Sequence, residues 1–276
     1  MSTVFERITG NDEIFSCKEY ISDSLIFNTI ESARNDSIHE LYSDHKNVII
    51  LRAKNGPRVW LWTSAAIKDD TSKLIDICRF LRDCNIPKAE IYLKQEVAGN
   101  FSDLYALTTL EINYVVKDEF SIAVLTYNDK DPIKDNESGI VLIDKNNSEH
   151  VKLVKDFYTS LMDEFRWKDK LDRKVKEYLE LEMYGYIKDN RLIANSVIGD
   201  RTEDYQTIKS IAVLTDERRK GYGYEMCALA VNSIKQRGLT PVLYSHVGNQ
   251  AAMALWKKTH FKIQNKLYLL KIENND

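Results

Sequence analysis

Apolar positions in the second half of the chain recur at two periods. Over 149–165, Val151, Val154, Tyr158, Leu161 and Met162 fall at helical spacing, and a second helix is predicted over 170–180. The period then drops to that of strands: 181–187, a KDNR turn at 188–191, 192–199 and 206–214 predict a three-stranded meander. TDERRKGYG follows, and then a helix with Met226, Leu229, Ala230 and Ile234 on one face, ending at Gly238. A strand over 241–245, a helix near 250–259 and a final strand pair close the pattern.

The first half echoes this order roughly 150 residues earlier. Positions 47–52 and 58–63 flank AKNGP as a hairpin, and 71–84 reads as a helix. AEIYLKQEVAGN parallels PVLYSHVGN, and FSDLYALTTL parallels QAAMALWKKT. A degenerate internal duplication accounts for the echo. Between the halves, 127–150 crowds Asp, Asn, Lys, Gly and Pro around one apolar run, 140–143, which marks a linker and the first strand of a new unit. The expected division is 1–130 and 138–276, two α/β (α+β) units with mixed, mostly antiparallel sheets flanked by helices.

Composition narrows the partners. With 39 basic against 42 acidic residues, net −3, no long-range field draws the chain to nucleic acid or an anionic membrane. Cys17, Cys78, Cys84 and Cys227 match neither a CxxC knuckle nor a dense disulfide framework, so a reducing compartment is expected and no metal is invoked. The N-terminus lacks a signal-peptide apolar stretch, and no window approaches the ~18 apolar residues of a membrane span. A cytoplasmic protein is expected, of open oligomeric state.

The stretch that carries chemistry is IKSIAVLTDERRKGYGYEMCALAV, 208–231. A strand ends near Val213, and Gly221 and Gly223 stand where the next helix must begin. Lacking a Cβ, glycine lets the backbone curl and aim several N–H groups at one point. With the positive helix end behind them, these amides suit a diphosphate. Arg218, Arg219 and Lys220 add positive charge where cations otherwise oppose the helix dipole, as if to meet an anion.

Here the sequence resembles the GNAT N-acetyltransferase superfamily, whose members carry Q/R-x-x-G-x-G/A after a strand. Arg218 to Gly223 fits that motif, and VLYSHVGNQAAMALWKKTHF is similar to the family's next strand and helix, with Asn249 at a frequent asparagine. The resemblance covers about 139–272 and implies acetyl-CoA as acyl-donor cosubstrate, its pantetheine arm lying against Ile211, Ala212 and Val213. It further implies contacts from Arg218, Arg219, Lys220, Gly221, Tyr222, Gly223, Tyr224, Asn249 and Trp256. The two halves together are similar to a tandem GNAT layout.

Direct acetyl transfer to the amine of a small molecule or peptide is the implied reaction. A non-catalytic acyl-CoA-binding or regulatory module is the alternative, because two family features are missing. Trp256 stands where many members place an acidic tyrosine, and no carboxylate lies within 206–214. The candidate bases are therefore Glu203, just before that strand, and His246, at the end of the next, whose ordinary pKa suits the task. In the first half, an offset of about 151 puts Asp70 and Ser72 at the glycine positions, where acidic capping repels phosphate. No CoA site is expected there.

Overall fold

The computed structural model describes residues 4–34, 39–54, 56–84, 88–109, 114–127, 129, 133, 139–165 and 167–274. Contacts group 1–124, 245–248 and 263–276 as one unit and 125–244 with 249–262 as a second. Most of the predicted linker lies outside the described residues.

The first unit opens with β1 (Glu6–Ile8), α1 (Lys18–Asp23) and α2 (Asn28–Ala33), then β2 (His39–Ser43), β3 (Val48–Ala53) and β4 (Arg58–Thr63). These four strands pair antiparallel in sequence order, including the predicted hairpin, with Leu51 opposite Trp60. Next come α3 (Thr71–Asp83), β5 (Lys88–Lys94), α4 (Gln95–Thr109) and β6 (Tyr114–Tyr127). The α3 helix buries Leu74, Ile77, Cys78 and Leu81 against Ile50, Leu61 and Ile91 of the strands, the one-sided apolar stripe its sequence predicts.

The β2–β3 turn is clasped by Asp44, whose carboxylate accepts from the amides of Lys46, Asn47 and Val48 at 3.2, 2.8 and 2.9 Å and pairs with Lys73 at 2.7 Å. Burial alone would raise its pKa, but the Lys73 ammonium and the three amides hold it below the ordinary carboxylate value. Such a group adds stability above about pH 4, lost as pH falls through its folded pKa. Asp44→Ala is therefore expected to lower stability by about 1–2 kcal/mol at pH 7 and by less at pH 3, read from denaturant unfolding at the two pH values.

The second unit begins with β7 (Ile140–Leu142), α5 (Ser148–Leu161) and α6 (Leu171–Leu179). Asn147 caps α5, its side chain accepting from the amides of Glu149 and His150. The predicted meander follows as β8 (Glu182–Lys188), β9 (Arg191–Arg201) and β10 (Tyr205–Val213). Asp189 and Asn190 take φ of 50° and 55°, the left-handed pair that a two-residue hairpin needs. Then come α7 (Tyr222–Gln236), β11 (Thr240–His246), α8 (Gln250–Lys258) and β12 (Phe261–Asn274). A core of Val154, Phe157, Tyr158 and Leu161 from α5 packs on Met183, Ile193, Val197 and Ala212 of the sheet.

The chain's end departs from expectation. The predicted final strand pair is one strand of 14 residues, because no residue between Phe261 and Asn274 takes the positive φ of a tight turn. From Leu267 to Glu273 it pairs antiparallel with β5, so contacts assign 263–276 to the first unit rather than to 138–276. Ladder hydrogen bonds are indifferent to sequence separation, and the open edge of β5 takes the strand.

Candidate active site

Strand β10 is the centre of the site. Its first three residues pair parallel with β11, Tyr205, Gln206 and Thr207 opposite Thr240, Pro241 and Val242. Beyond Thr207 the pairing stops among the described residues, while β10 continues antiparallel to β9 as far as Val213 opposite Ala194. Two register shifts, between Gln206 and Ile208 and between Ile208 and Ser210, mark where the strands part. Ile211, Ala212 and Val213 thus present a backbone edge without a strand partner, open to another extended chain.

A single 3-10 turn, Thr215–Glu217, leads from β10 into the loop. Arg219 then takes φ 64° and Gly221 φ 99°, with α7 beginning at Tyr222. Gly221 is the N-cap and brings no capping side chain. Among the described residues the backbone amides of Arg219, Gly221, Tyr222 and Gly223 meet no acceptor, while that of Lys220 closes a turn, so four N–H groups remain at the positive end of a 15-residue helix. A Cβ on Gly223 would come within 3.6 Å of Val213 and 3.7 Å of Leu255, so the helix start lies close between β10 and α8.

The cations are less free than the sequence suggests. Arg218 turns back, its Nε donating to the Val213 carbonyl at 3.1 Å and its guanidinium pairing with Glu164. Lys220 pairs with Glu217 at 3.0 Å, while Arg219 meets no carboxylate among the described residues. Amides rather than side-chain charge therefore dominate the cradle. Tyr222 packs inward on Tyr186, 4.8 Å between ring centroids, and Lys258 stands 5.0 Å over the ring of Tyr224. Asn249 caps α8 by accepting from Ala252 at 3.1 Å. Trp256 is 8% exposed, and its Nε1 is buried without a partner.

The candidate bases stand apart. Glu203 lies exposed in the β9–β10 turn, and at ~3.3 Å per strand residue the six residues from Tyr205 to Ile211 put it about 20 Å from the open edge. His246 ends β11 and keeps an exposed edge. Its partial burial, and then the Lys271 ammonium, push its pKa below the ordinary imidazole value, with Glu90 acting the other way.

A buried polar group escaped the sequence reading. Asn195 donates to the Tyr158 hydroxyl at 2.9 Å, Ser210 of β10 bonds the same oxygen, and burial drives the Tyr158 pKa well up. The signal was available: Asn195 and Ser196 interrupt an otherwise apolar strand, LIANSVIG.

The first unit repeats the strand geometry without the cradle. Its β4 and β5 also pair parallel over three residues only, Arg58, Val59 and Trp60 opposite Glu90, Ile91 and Tyr92. At the start of α3, however, Asp70 caps the helix by accepting from Lys73 at 2.9 Å. In the turn after β4, the Ala65 amide donates to Glu19 of α1, while Asp23 accepts from Trp62 at 2.8 Å and pairs with Lys94. The chain's own carboxylates thus satisfy donors at the corresponding turn.

Against models of known families, the segment carrying α5 through α8 finds a match described as Acetyltransferase (GNAT) family. Residues 153–261 form a GNAT domain. A search of curated protein sequences gives no match. Among solved structures, a Drosophila protein is similar over 100% of both chains with a TM-score of 0.70 at 13% identity. A tandem GNAT protein from the clavulanic acid biosynthesis pathway is similar over 97% of each chain, with a TM-score of 0.58 and 9% identity. A GNAT-family acetyltransferase from Colwellia psychrerythraea is similar over 98% of this chain and 99% of its own, at 0.55 and 11%. Because the likeness to the tandem GNAT protein and to the Colwellia acetyltransferase extends beyond the matched segment, the first unit too is GNAT-like in structure. No helix among the described residues is long and apolar enough to cross a membrane.

Proposed function

We propose that the GNAT domain transfers an acetyl group from acetyl-CoA to the amine of a small molecule or peptide. The observation that carries this reading is the group of four open amides, those of Arg219, Gly221, Tyr222 and Gly223, beside the unpaired edge of β10. Those amides would hold the diphosphate, and the backbone of Ile211 to Val213 would bond the pantetheine amides as a neighbouring strand does. Acetyl-CoA supplies the activated acyl group, and the protein's part is mainly positioning.

An ammonium acceptor must lose a proton before its nitrogen lone pair can attack the thioester carbonyl. His246, held neutral at pH 7 by its lowered pKa, is the proposed proton acceptor. As the C–N bond forms the C–S bond breaks, and the thiolate, of pKa near 8.5, leaves without needing a strong acid from the protein.

The capped start of α3 and the Glu19–Ala65 contact argue for a single CoA site per chain. Titration calorimetry with acetyl-CoA is expected to give a stoichiometry of one; two sites of similar affinity would show the first unit to be competent as well. A CoA-release assay over a panel of amines tests the reaction itself. Tight CoA binding with no amine turned over would make the domain a binding module.

A further inference from the structure

We infer that the Ser210 hydroxyl is a fixed hydrogen-bond donor for a carbonyl oxygen of the amine acceptor. That narrows the acceptor to a peptide N-terminus or an amino-acid amide. The inference rests on the acetyl-transfer reading above and names the substrate class of that site. Ser210 is half-buried on β10, just past the second register shift and one residue before the open edge begins. Its side chain bonds the Tyr158 oxygen, which also accepts from Asn195 Nδ2 at 2.9 Å. Tyr158 and Asn195 are fully buried, so Ser210 is the member of the three that reaches the surface.

The direction of these bonds follows from what each atom can do. Asn195 donates to the Tyr158 oxygen, and among the described residues no acceptor other than Ser210 Oγ meets the Tyr158 proton. A buried O–H left unmade is costly, so Tyr158 donates to Ser210 and the proton of Ser210 is turned outward. The arrangement is kept at a cost, because Asn195 Oδ1 is buried without a partner. A leucine would fill the same place with no orphan oxygen, so packing does not account for the amide.

The place of that proton selects its taker. Ser210 stands two residues before Ala212, whose side chain packs with Val154 and Phe157 of α5, so both side chains rise from the α5 face of the sheet. A strand-like pantetheine arm lies in the plane of the sheet and exchanges bonds with backbone groups. A side chain perpendicular to that plane serves what comes over the face, which is the acceptor. A proton already committed outward needs an oxygen that only accepts. A carbonyl is one, whereas a substrate hydroxyl brings a proton of its own and a carboxylate is better met by a cation, which none of the three residues supplies.

The test uses the full chain and two amines of one skeleton, alaninamide and 3-methylbutan-2-amine, in which methyls replace the carbonyl oxygen and the amide nitrogen. With CoA release as the readout, the wild type is expected to prefer alaninamide in kcat/KM. Ser210→Ala is expected to lower that preference about fivefold, the size of one neutral hydrogen bond. Comparing preferences between variants cancels the different basicity of the two amines. Asn195→Leu is expected to lower the preference in the same direction with a melting temperature at or above that of the wild type, which the loss of a merely structural contact would not give. A wild type with no preference for alaninamide, or a folded variant of either kind that keeps the preference, overturns the inference and leaves the acetyl-transfer reading intact. A wild type that releases CoA with no amine of a broad panel overturns both.

Discussion

Replacing both Gly221 and Gly223 with valine is expected to weaken acetyl-CoA binding at least tenfold, about 1.4 kcal/mol. The larger share falls on Gly221, whose φ of 99° puts any side chain in a left-handed conformation that costs about 1–2 kcal/mol. Valine there favours extended backbone, which turns the neighbouring amides off their common point. At Gly223 a Cβ alone would make ordinary contacts at 3.6 and 3.7 Å, so Gly223→Ala is expected to bind nearly as the wild type does. The branched methyls of valine would crowd Val213 and Leu255, the walls of the cradle. Calorimetry on the folded double variant decides the matter, and unchanged affinity would remove the amide cradle from the mechanism.

His246→Ala is expected to lower kcat by about 10²-fold with acetyl-CoA affinity near that of the wild type, the usual size of a general-base contribution. The direction of its pKa shift sets the accompanying pH signature. Since burial and Lys271 lower the folded value, the wild-type rate should hold at pH 7 and fall only below the ordinary imidazole pKa of about 6.5. That acid limb should vanish in the variant. Retained activity with an unchanged profile would mean that the amine arrives neutral or gives its proton to water. Glu203→Gln is expected to change little, because the β9–β10 turn lies far along the strand from the open edge.

Most of the second unit could be read locally. Its strands and helices carry clear periods, the turn at Asp189 and Asn190 uses residues that tolerate left-handed backbone, and the glycines of the cradle precede an amphipathic helix. The fate of Asp70 was legible for the same reason, since an N-cap is a contact between residues three apart. What escaped depends on partners distant in sequence. Arg218 looks like a phosphate ligand until Glu164, 54 positions earlier, is brought beside it. The isolation of Trp256 Nε1 is likewise a property of the packed core, invisible in WKK. The helices at Lys18–Asp23 and Asn28–Ala33, six residues each, are too short for periodicity to announce.

Strand β12 gives the chain an unusual order of completion. Vectorial synthesis delivers β4, β5 and their helices early, yet the strand that pairs with β5 from Lys88 to Lys94 follows only at Leu267 to Glu273. Until it leaves the ribosome, the edge of β5 stays bare, and a nascent chain with an uncovered strand edge is exposed to pairing with its neighbours. A stop codon near residue 262 would therefore spare the elements that carry the cradle and injure the half translated first.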